Sequence, residues 1–365
     1  MPQTLSARLQ IGGDPTPGWN YLPLHLLQTR PPRSTHAEVK LDAPIDALGD
    51  LWPVFRHCRE LCGTGARFTV RRAPPGRLKL QDVLKILNLC GFEPVEGQAG
   101  TSPEILVTYA VERVPQSLSC TVVIPCRNEA DNVSGLVRRT PDMGTRTEIL
   151  FVDGSSTDGT PDLVLSEISA SPGRDIKLLH QSDSAGGKAA AVFQGFDAAT
   201  GDVVMILDAD MTVAPEDLPR FFFAIAENAA DFANGSRFLY PMEQGAMHLL
   251  NNAGNRTFCL CLGWLLGSHI TDTLCGTKAM RRSNWMKIRA ARHLFGGHDP
   301  WGDFDLLLGA GYSGLRIVDV PIVYGARVAG ESKMRPFAHG LDLAKTCFAG
   351  LKVLKLDRPT RPLHE

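Results

Sequence analysis

The sequence has no surplus of charge of either sign. Its 38 Lys and Arg stand against 39 Asp and Glu, for a formal net charge of −1. Without a basic excess, nothing points to nucleic acid as a partner. Long apolar runs are also missing: none reaches the ~18 residues of a membrane-spanning helix. The opening Met1-Pro2-Gln3-Thr4 carries no basic segment followed by an apolar core, so no signal peptide is expected. The nine cysteines show no metal-finger spacing. Cys58 and Cys62 fall one helical turn apart, and Cys259 and Cys261 sit in an apolar run. Both placements suit buried small apolar side chains better than zinc ligands or disulfides. A reducing, cytoplasmic setting is expected.

What is present is an ordinary globular composition. The apolar fraction is 44% and the length 365 residues, which suggests about two domains. The most informative stretch is Val203-Val204-Met205-Ile206-Leu207-Asp208-Ala209-Asp210. Its unbroken apolar run suits a strand buried on both faces of a parallel sheet. Such sheets bind ligands beyond the carboxyl ends of their strands. Asp208 and Asp210 fall there, and residues two apart in extended chain point the same way. Both carboxylates can then face one small hard cation, Mg²⁺ or Mn²⁺, which leaves positions open for a diphosphate. The alternative is a pair of solvated turn residues.

Residues 1–43 are Pro-rich and read as a poorly ordered arm, with Pro15, Pro17, Pro23, Pro31 and Pro32. Residues 44–115 show a small α/β pattern: helices at 47–62 and 81–90, strands at 66–71 and 104–111. Gly91 follows the second helix as a C-terminal cap. This segment, residues 79–93 above all, looks like the last third of a class I methyltransferase. No glycine-rich strand-to-helix turn of that fold precedes them, since Gly63-Thr64-Gly65 lacks a third glycine and follows a helix. An accessory or remnant segment is the better reading, and Val114-Pro115-Gln116-Ser117 reads as a linker.

From 120 onward strands and helices alternate. Strands are expected at 121–125, 149–152, 176–179 and 203–207, with helices opening at Thr160-Pro161-Asp162 and Gly186-Gly187-Lys188. This order implies a parallel sheet with right-handed crossovers. Beyond Asp210 it becomes mixed: a helix at 215–228, a strand at 231–238, an apolar stretch at 257–270, a short strand at 278–281, a helix at 303–310 and a strand at 315–323. Residues 336–365 read as an amphipathic helix and tail. Phe337, Leu341, Ala344, Phe348 and Leu351 share one face, with Lys345 and Lys352 near its edge. Such a face suits either an anionic bilayer or packing on the catalytic domain.

Residues 119–335 resemble the family 2 glycosyltransferases of the GT-A fold, nearest the dolichol-phosphate mannosyltransferase-like branch. The motifs fall in the family's order: Val122-Val123-Ile124-Pro125-Cys126-Arg127-Asn128-Glu129, Val152-Asp153-Gly154-Ser155-Ser156-Thr157-Asp158-Gly159-Thr160, Gly187-Lys188, and Leu207-Asp208-Ala209-Asp210. Gly235-Ser236-Arg237, Gly302-Asp303-Phe304-Asp305 and Arg327-Val328-Ala329-Gly330-Glu331-Ser332-Lys333 complete the set. Three positions depart from the family. Gly154 stands where a second aspartate is common, Arg127 where an aromatic is common, and Thr212 where that branch often has Gln.

The resemblance implies an α/β, GT-A type nucleotide-sugar-binding domain with a mostly parallel sheet, preceded by the small α/β segment. It implies a metal-dependent, inverting transfer from a nucleoside diphosphate sugar, with polyprenyl phosphate as the favoured acceptor. Pro125, Arg127, Glu129 and Asp153 would line the nucleoside pocket. Gly187 and Lys188 would meet phosphate at a helix start, in a loop that is not a P-loop. Asp208 and Asp210 would hold Mg²⁺ or Mn²⁺, with Asp208 also near ribose or sugar. Asp303 and Asp305 are the two candidates for the base, and at a helix start both also suit dipole-favoured acids. Arg237, Arg327, Ser332 and Lys333 would meet the acceptor phosphate, with Asn255 and Arg256 adjoining. Peripheral contact with the inner face of the cytoplasmic membrane is the matching location. The rival readings are a soluble or protein acceptor, and a non-catalytic nucleotide-binding or scaffold protein.

Overall fold

The computed structural model describes residues 6–17, 20–22, 36–43, 48, 50–71, 78–95, 104–109, 116–182, 187–240, 249–297, 299–323 and 336–357. The chain divides into two compact units. One comprises Met1–Val114 with Leu239–Pro241, the other Pro115–Phe238 with Met242–Glu365.

The first unit contains β1 (Ser6–Ile11), β2 (Asn20–Leu22), β3 (His36–Leu41), α1 (Leu51–Leu61), β4 (Cys62–Arg71), α2 (Leu80–Leu89), β5 (Phe92–Pro94) and β6 (Glu104–Tyr109). Its sheet runs β2-β1-β3-β4-β6-β5. The strands β2, β1, β3 and β4 pair in parallel, whereas β6 runs antiparallel to both β4 and β5. The expected irregular arm at 1–43 is corrected here, since β1, β2 and β3 lie within it. Leu9, Ile11, Val39 and Leu41 bury alternate positions of β1 and β3, a period-2 signal that the surrounding prolines obscured. β1 closes in Gly12 and Gly13, both at positive φ. The next described element is another strand, and a Cβ on Gly13 would lie 2.8 Å from the Asp42 carboxyl. In α1, Leu51, Val54, Phe55, Cys58 and Leu61 form the buried stripe, and Asp50 caps the helix by accepting from Trp52 N. Phe68 stacks on Phe92 at 4.7 Å and meets Phe55 edge-on.

The second unit opens with β7 (Cys120–Cys126), α3 (Ala130–Arg139), β8 (Thr147–Asp153), α4 (Thr160–Ala170), β9 (Asp175–His180), α5 (Gly187–Ala198) and β10 (Val203–Ile206). It continues through a 3₁₀ turn into α6 (Leu218–Ala226), then β11 (Phe232–Ser236), α7 (Leu249–Leu266), β12 (Lys278–Arg281) and α8 (Arg282–Ala291). A second 3₁₀ turn leads to α9 (Asp303–Tyr312), β13 (Ile317–Pro321) and α10 (Pro336–Leu351), which ends in a wide π turn.

The sheet of this unit runs β13-β11-β12-β10-β7-β8-β9. Every pair is parallel except those of β12 with β10 and β11. The chain lays β8 and β9 on one side of β7 and then places β10 on the other. The switch point therefore lies at the carboxyl ends of β7, β8 and β10, where an open α/β sheet holds its ligand. All four residues of β10 are buried, as its apolar run predicts. Trp285 is fully buried on one face, stacked on Phe193 at 5.5 Å and edge-on to Phe196. That contact locks α5 and α8 together under the sheet. α3 and α8 escaped the sequence reading because each carries only a few apolar residues on a polar helix. The cap of α4 is Gly159, with Thr160 already helical. Of the apolar stretch expected at 257–270, residues up to Leu266 form the C-terminal part of α7 and the rest lie in the loop after it.

Candidate functional site

Three neighbouring strand ends supply the floor of the site. In β7 and β8, Pro125 pairs with Val152 and Cys126 with Asp153. Beside them, Ile206 of β10 pairs with Val123, and Leu207 N donates to the Val123 carbonyl. Pro125, Asp153 and Asp208 thus sit at one sheet edge because the register forces it.

At the β8 end, Asp153 is buried and accepts from Ser155 N at 3.1 Å and from Ser156 N at 3.3 Å. His180 Nδ1 lies 3.6 Å away. Asp153 therefore holds the turn that follows β8. Asp158 is also a turn residue, accepting from Ala130 N and Thr160 N at 3.0 Å each. Burial pushes its carboxyl up, but these hydrogen bonds outweigh it and hold it below the ordinary range. Glu129 is half-buried and accepts from Asn132 Nδ2 at 2.9 Å, while Arg127 is exposed.

The β10 end carries the densest charge. Lys188, in the first turn of α5, puts Nζ 2.6 Å from Asp208 Oδ1. Asp208 Oδ1 nonetheless lacks a well-aligned hydrogen bond among the described residues. Burial works to lower the lysine, yet Asp208, Asp303 and Asp210 together raise it above its ordinary value. Asp210 Oδ1 accepts from Thr212 N at 3.1 Å and from Thr212 Oγ1 at 2.9 Å. Ala189 N donates to the Pro300 carbonyl at 3.1 Å, which ties α5 to the loop before α9. Gly302 makes that turn at φ 84°, where a Cβ would sit 2.9 Å from Phe193.

The structure separates the two candidate bases. Asp303 Oδ1 receives Lys278 Nζ at 2.9 Å, and Lys278 is fully buried on β12, where it also donates to the Cys275 carbonyl. Asp303 is close enough to Lys188 to raise it, so it belongs to the charged cluster. The charges that bear on Asp305 are instead Asp299 and Arg292. Its Oδ1 has no hydrogen-bond partner among the described residues. Burial first, then Asp299, pushes its carboxyl up to about 7 against the lowering pull of Arg292. Asp299 caps the start of α9, accepting from Phe304 N at 2.7 Å, and is itself raised by burial and by Asp303. Asp305 is thus a buried acid that binds a proton more tightly folded than unfolded, where its value is about 3.9. Its contribution to stability falls as pH rises from about 4 to about 7 and stays low above that. Asp305→Asn is expected to unfold at a higher temperature than wild type at pH 8 and to match it near pH 4. Melting curves across that range test this, and equal shifts at both ends would refute it.

Sequence reasoning missed the loop between α7 and β12. Asp272 is fully buried and accepts from Arg237 Nε at 2.6 Å, Arg237 Nη2 at 2.8 Å and Asn255 Nδ2 at 2.8 Å. Burial pushes Asp272 up, but Arg237 and these hydrogen bonds hold it below the usual carboxylate range. Arg237, expected at the acceptor phosphate, here commits its forked donors to an internal carboxylate. Asn255 is buried and accepts from Thr273 N and Oγ1, while Arg256 is exposed. Gly276, in the same loop, presses on the charged pair: a Cβ there would lie 2.2 Å from Asp208 Oδ2 and 2.6 Å from Lys188 Nζ. Asp272 before a Gly-containing turn and a strand was the available signal. Arg327, Ser332 and Lys333 lie outside the described residues.

No group of three or more His, Cys, Asp or Glu side chains gathers as a metal site among the described residues. Two carboxylates suffice for Mg²⁺ or Mn²⁺ when diphosphate oxygens and water complete the shell. Asp208, with its unaligned Oδ1, and Asp210 fit that requirement.

A family model described as glycosyl transferase family 2 matches residues 121–288. The chain is 32% identical over 223 residues to a polyprenol monophosphomannose synthase of Mycolicibacterium smegmatis, covering 58% of this chain and 80% of that protein. It is 28% identical over 227 residues to a dolichol-phosphate mannosyltransferase of Pyrococcus furiosus, covering 60% of each. A solved glucosyl-3-phosphoglycerate synthase of Mycobacterium tuberculosis is similar over 64% of this chain and 80% of its own, at 17% identity and a TM-score of 0.47.

Proposed function

The chain belongs to glycosyl transferase family 2, and from that premise we propose that it moves a sugar from a nucleoside diphosphate to a polyprenyl phosphate, with inversion. It is a glycosyltransferase with a GT-A type catalytic unit. The observation that carries the finer reading is the Asp208–Asp210 pair at the end of β10, beside Lys188 and Asp303.

Pro125, Arg127, Glu129 and Asp153 flank the nucleoside from the ends of β7 and β8. Lys188 meets the diphosphate at the helix start. A divalent metal held by Asp208 and Asp210 would neutralise the charge that builds on the leaving diphosphate. The acceptor phosphate oxygen forms the new bond to C1 of the sugar. The C1–O bond to the diphosphate breaks on the opposite face, and the nucleoside diphosphate leaves with the electron pair. That oxygen is already anionic at neutral pH, so no proton has to be removed. Asp303, anchored by Lys278, then serves to orient sugar or acceptor.

A lipid acceptor calls for a membrane-facing surface. No helix among the described residues is long and apolar enough to cross a membrane. Among the described residues, the five most exposed large apolar side chains are Leu260 at 79%, Leu356 at 71%, Phe348 at 69%, Trp264 at 62% and Leu341 at 61%. All belong to α7, α10 and its closing turn. The two helices pack together, with Cys261 against Cys347 at the seam. Lys355 Nζ lies 5.2 Å from the Trp264 ring centroid, and Lys345 and Lys352 are exposed nearby. Of the expected tail face, Leu351 turns inward to the core, while the Phe337 side chain lies outside the described residues. Apolar tips with lysines on the same helix suit an anionic bilayer. α7 links this face to the site, since Asn255 near its start holds Asp272 and Trp264 lies about 13 Å further along the axis.

The expected result is Mn²⁺- or Mg²⁺-stimulated transfer from a GDP- or UDP-sugar to polyprenyl phosphate in anionic vesicles, with none to soluble acceptors. Trp264→Ser with Phe348→Ser should cut sedimentation with those vesicles roughly tenfold. Transfer to soluble acceptors alone would refute the lipid reading. Sedimentation of the double variant equal to wild type would refute the surface.

A further inference from the structure

We propose that Lys188 is the built-in counter-ion of the carboxylate pair: its ammonium balances Asp208 while the metal is away and must leave Asp208 when the metal enters. This rests on the metal reading of Asp208 and Asp210 given above. The lysine and Asp208 side chains are 19% and 24% exposed, too buried for water alone to balance the carboxylate cheaply. Three acids, Asp208, Asp303 and Asp210, act on the one ammonium. At 2.6 Å from Asp208 Oδ1 it stands at contact distance from an oxygen that a metal would need. The contact is close but poorly directed, since Oδ1 lacks an aligned hydrogen bond among the described residues. It is a charge contact that can be surrendered.

Gly276 closes the other side. Its backbone leaves no space for even one carbon beside Asp208 Oδ2 and Lys188 Nζ. An ammonium and a dication cannot share Asp208 in that space, because two positive charges at such distances repel strongly in a partly buried site. The lysine has a flexible four-carbon stem, and a donor diphosphate supplies the replacement anion. Metal entry and capture of the donor phosphate by Lys188 are then one exchange. Metal binds weakly alone and tightly with nucleotide, so the site is not filled unproductively.

The test measures Mn²⁺ binding calorimetrically to the full chain, with and without nucleoside diphosphate, in wild type, Lys188→Met and Lys188→Arg. Lys188→Met keeps the stem and removes the charge. It is expected to bind Mn²⁺ alone roughly tenfold more tightly than wild type. In the presence of nucleotide it should lose most of the gain, because the phosphate contact is gone. The metal-free variant should also melt lower than wild type. Lys188→Arg retains the charge and should bind Mn²⁺ alone as weakly as wild type. Mn²⁺ affinity unchanged or weakened in Lys188→Met, or tightened equally in Lys188→Arg, would overturn the proposal. Asp210→Asn separates the two levels. If wild type binds Mn²⁺ with nucleotide and Asp210→Asn does not, the metal reading stands whatever the lysine variants do.

Discussion

Replacing Asp210 by asparagine is expected to lower sugar transfer roughly a thousandfold, the equivalent of about 4 kcal/mol of transition-state stabilisation, without unfolding the protein. Asn keeps an acceptor oxygen where Asp210 Oδ1 holds Thr212 N and Oγ1. The turn after β10 therefore survives, and only the negative charge is lost. That charge is half of what the described residues offer to a divalent cation at this strand end. Asp210→Ala removes the turn acceptor as well. It should match Asp210→Asn in activity but lose a further ~1 kcal/mol of stability, the usual worth of such hydrogen bonds. Calorimetric titration of UDP and GDP with and without Mn²⁺ should show metal-dependent binding in wild type and none in either variant. The nucleotide that binds more tightly narrows the choice of sugar. Transfer by Asp210→Asn within tenfold of wild type would mean the pair is a strand-end turn and nothing more.

The placement of the β7, β8 and β10 ends was legible because it is local. The run from Val203 to Leu207 announces a strand buried on both faces, and its end fixes where Asp208 and Asp210 lie. The ends of β7 and β8 follow by the same logic, and Gly187-Lys188 marks a helix start against them. The cluster around Asp272 was not legible because it is made by long-range pairs. Asp272 sits in no periodic pattern, and its partners Arg237 and Asn255 are 35 and 17 residues away. Lys278 reads as the polar residue of a short strand. Only the fold shows that Asp303 meets its ammonium in the interior. The choice between Asp303 and Asp305 failed in sequence for a related reason: both open α9, and only packing shows which one joins the charged cluster.

In the first unit, composition misled. Proline content outweighs the alternation of Leu9 with Ile11 and of Val39 with Leu41, so composition alone hides these strands. The chain also returns to this unit far downstream. Tyr240 donates its hydroxyl to Asp50 Oδ1 at 2.7 Å and accepts from Leu51 N at 3.0 Å, steadying the start of α1. No local pattern reports a tyrosine that caps a helix so distant in sequence.

Asp272→Ala is expected to cost about 3–5 kcal/mol, the toll of stranding one partner of a buried ion pair. For a unit of this size the melting temperature should fall on the order of 10 °C. Among the described residues, five donors converge on this carboxylate: Arg237 N, Nε and Nη2, Asn255 Nδ2 and Leu274 N. Removing it takes away the carboxylate that the Arg237 guanidinium faces and strips the loop that carries Gly276 of its anchor. Asp272→Asn should recover only a small part, because it restores an acceptor but not the charge. Pairing Asp272→Ala with Arg237→Met should recover more, since the guanidinium that faced Asp272 is removed as well. The acid's pKa is lowered in the fold. Its stabilisation is therefore complete above about pH 4 and fades as pH falls through the lowered folded value. The gap between wild type and Asp272→Ala should accordingly be constant from pH 5 to 8 and shrink only in strong acid. Denaturant unfolding of the four proteins across pH measures all of this. A loss below ~1 kcal/mol in the single variant would demote the pair to the level of a surface ion pair. A double variant no more stable than Asp272→Ala would show that the loop's hydrogen bonds, not the charge pair, hold the loop between α7 and β12 together.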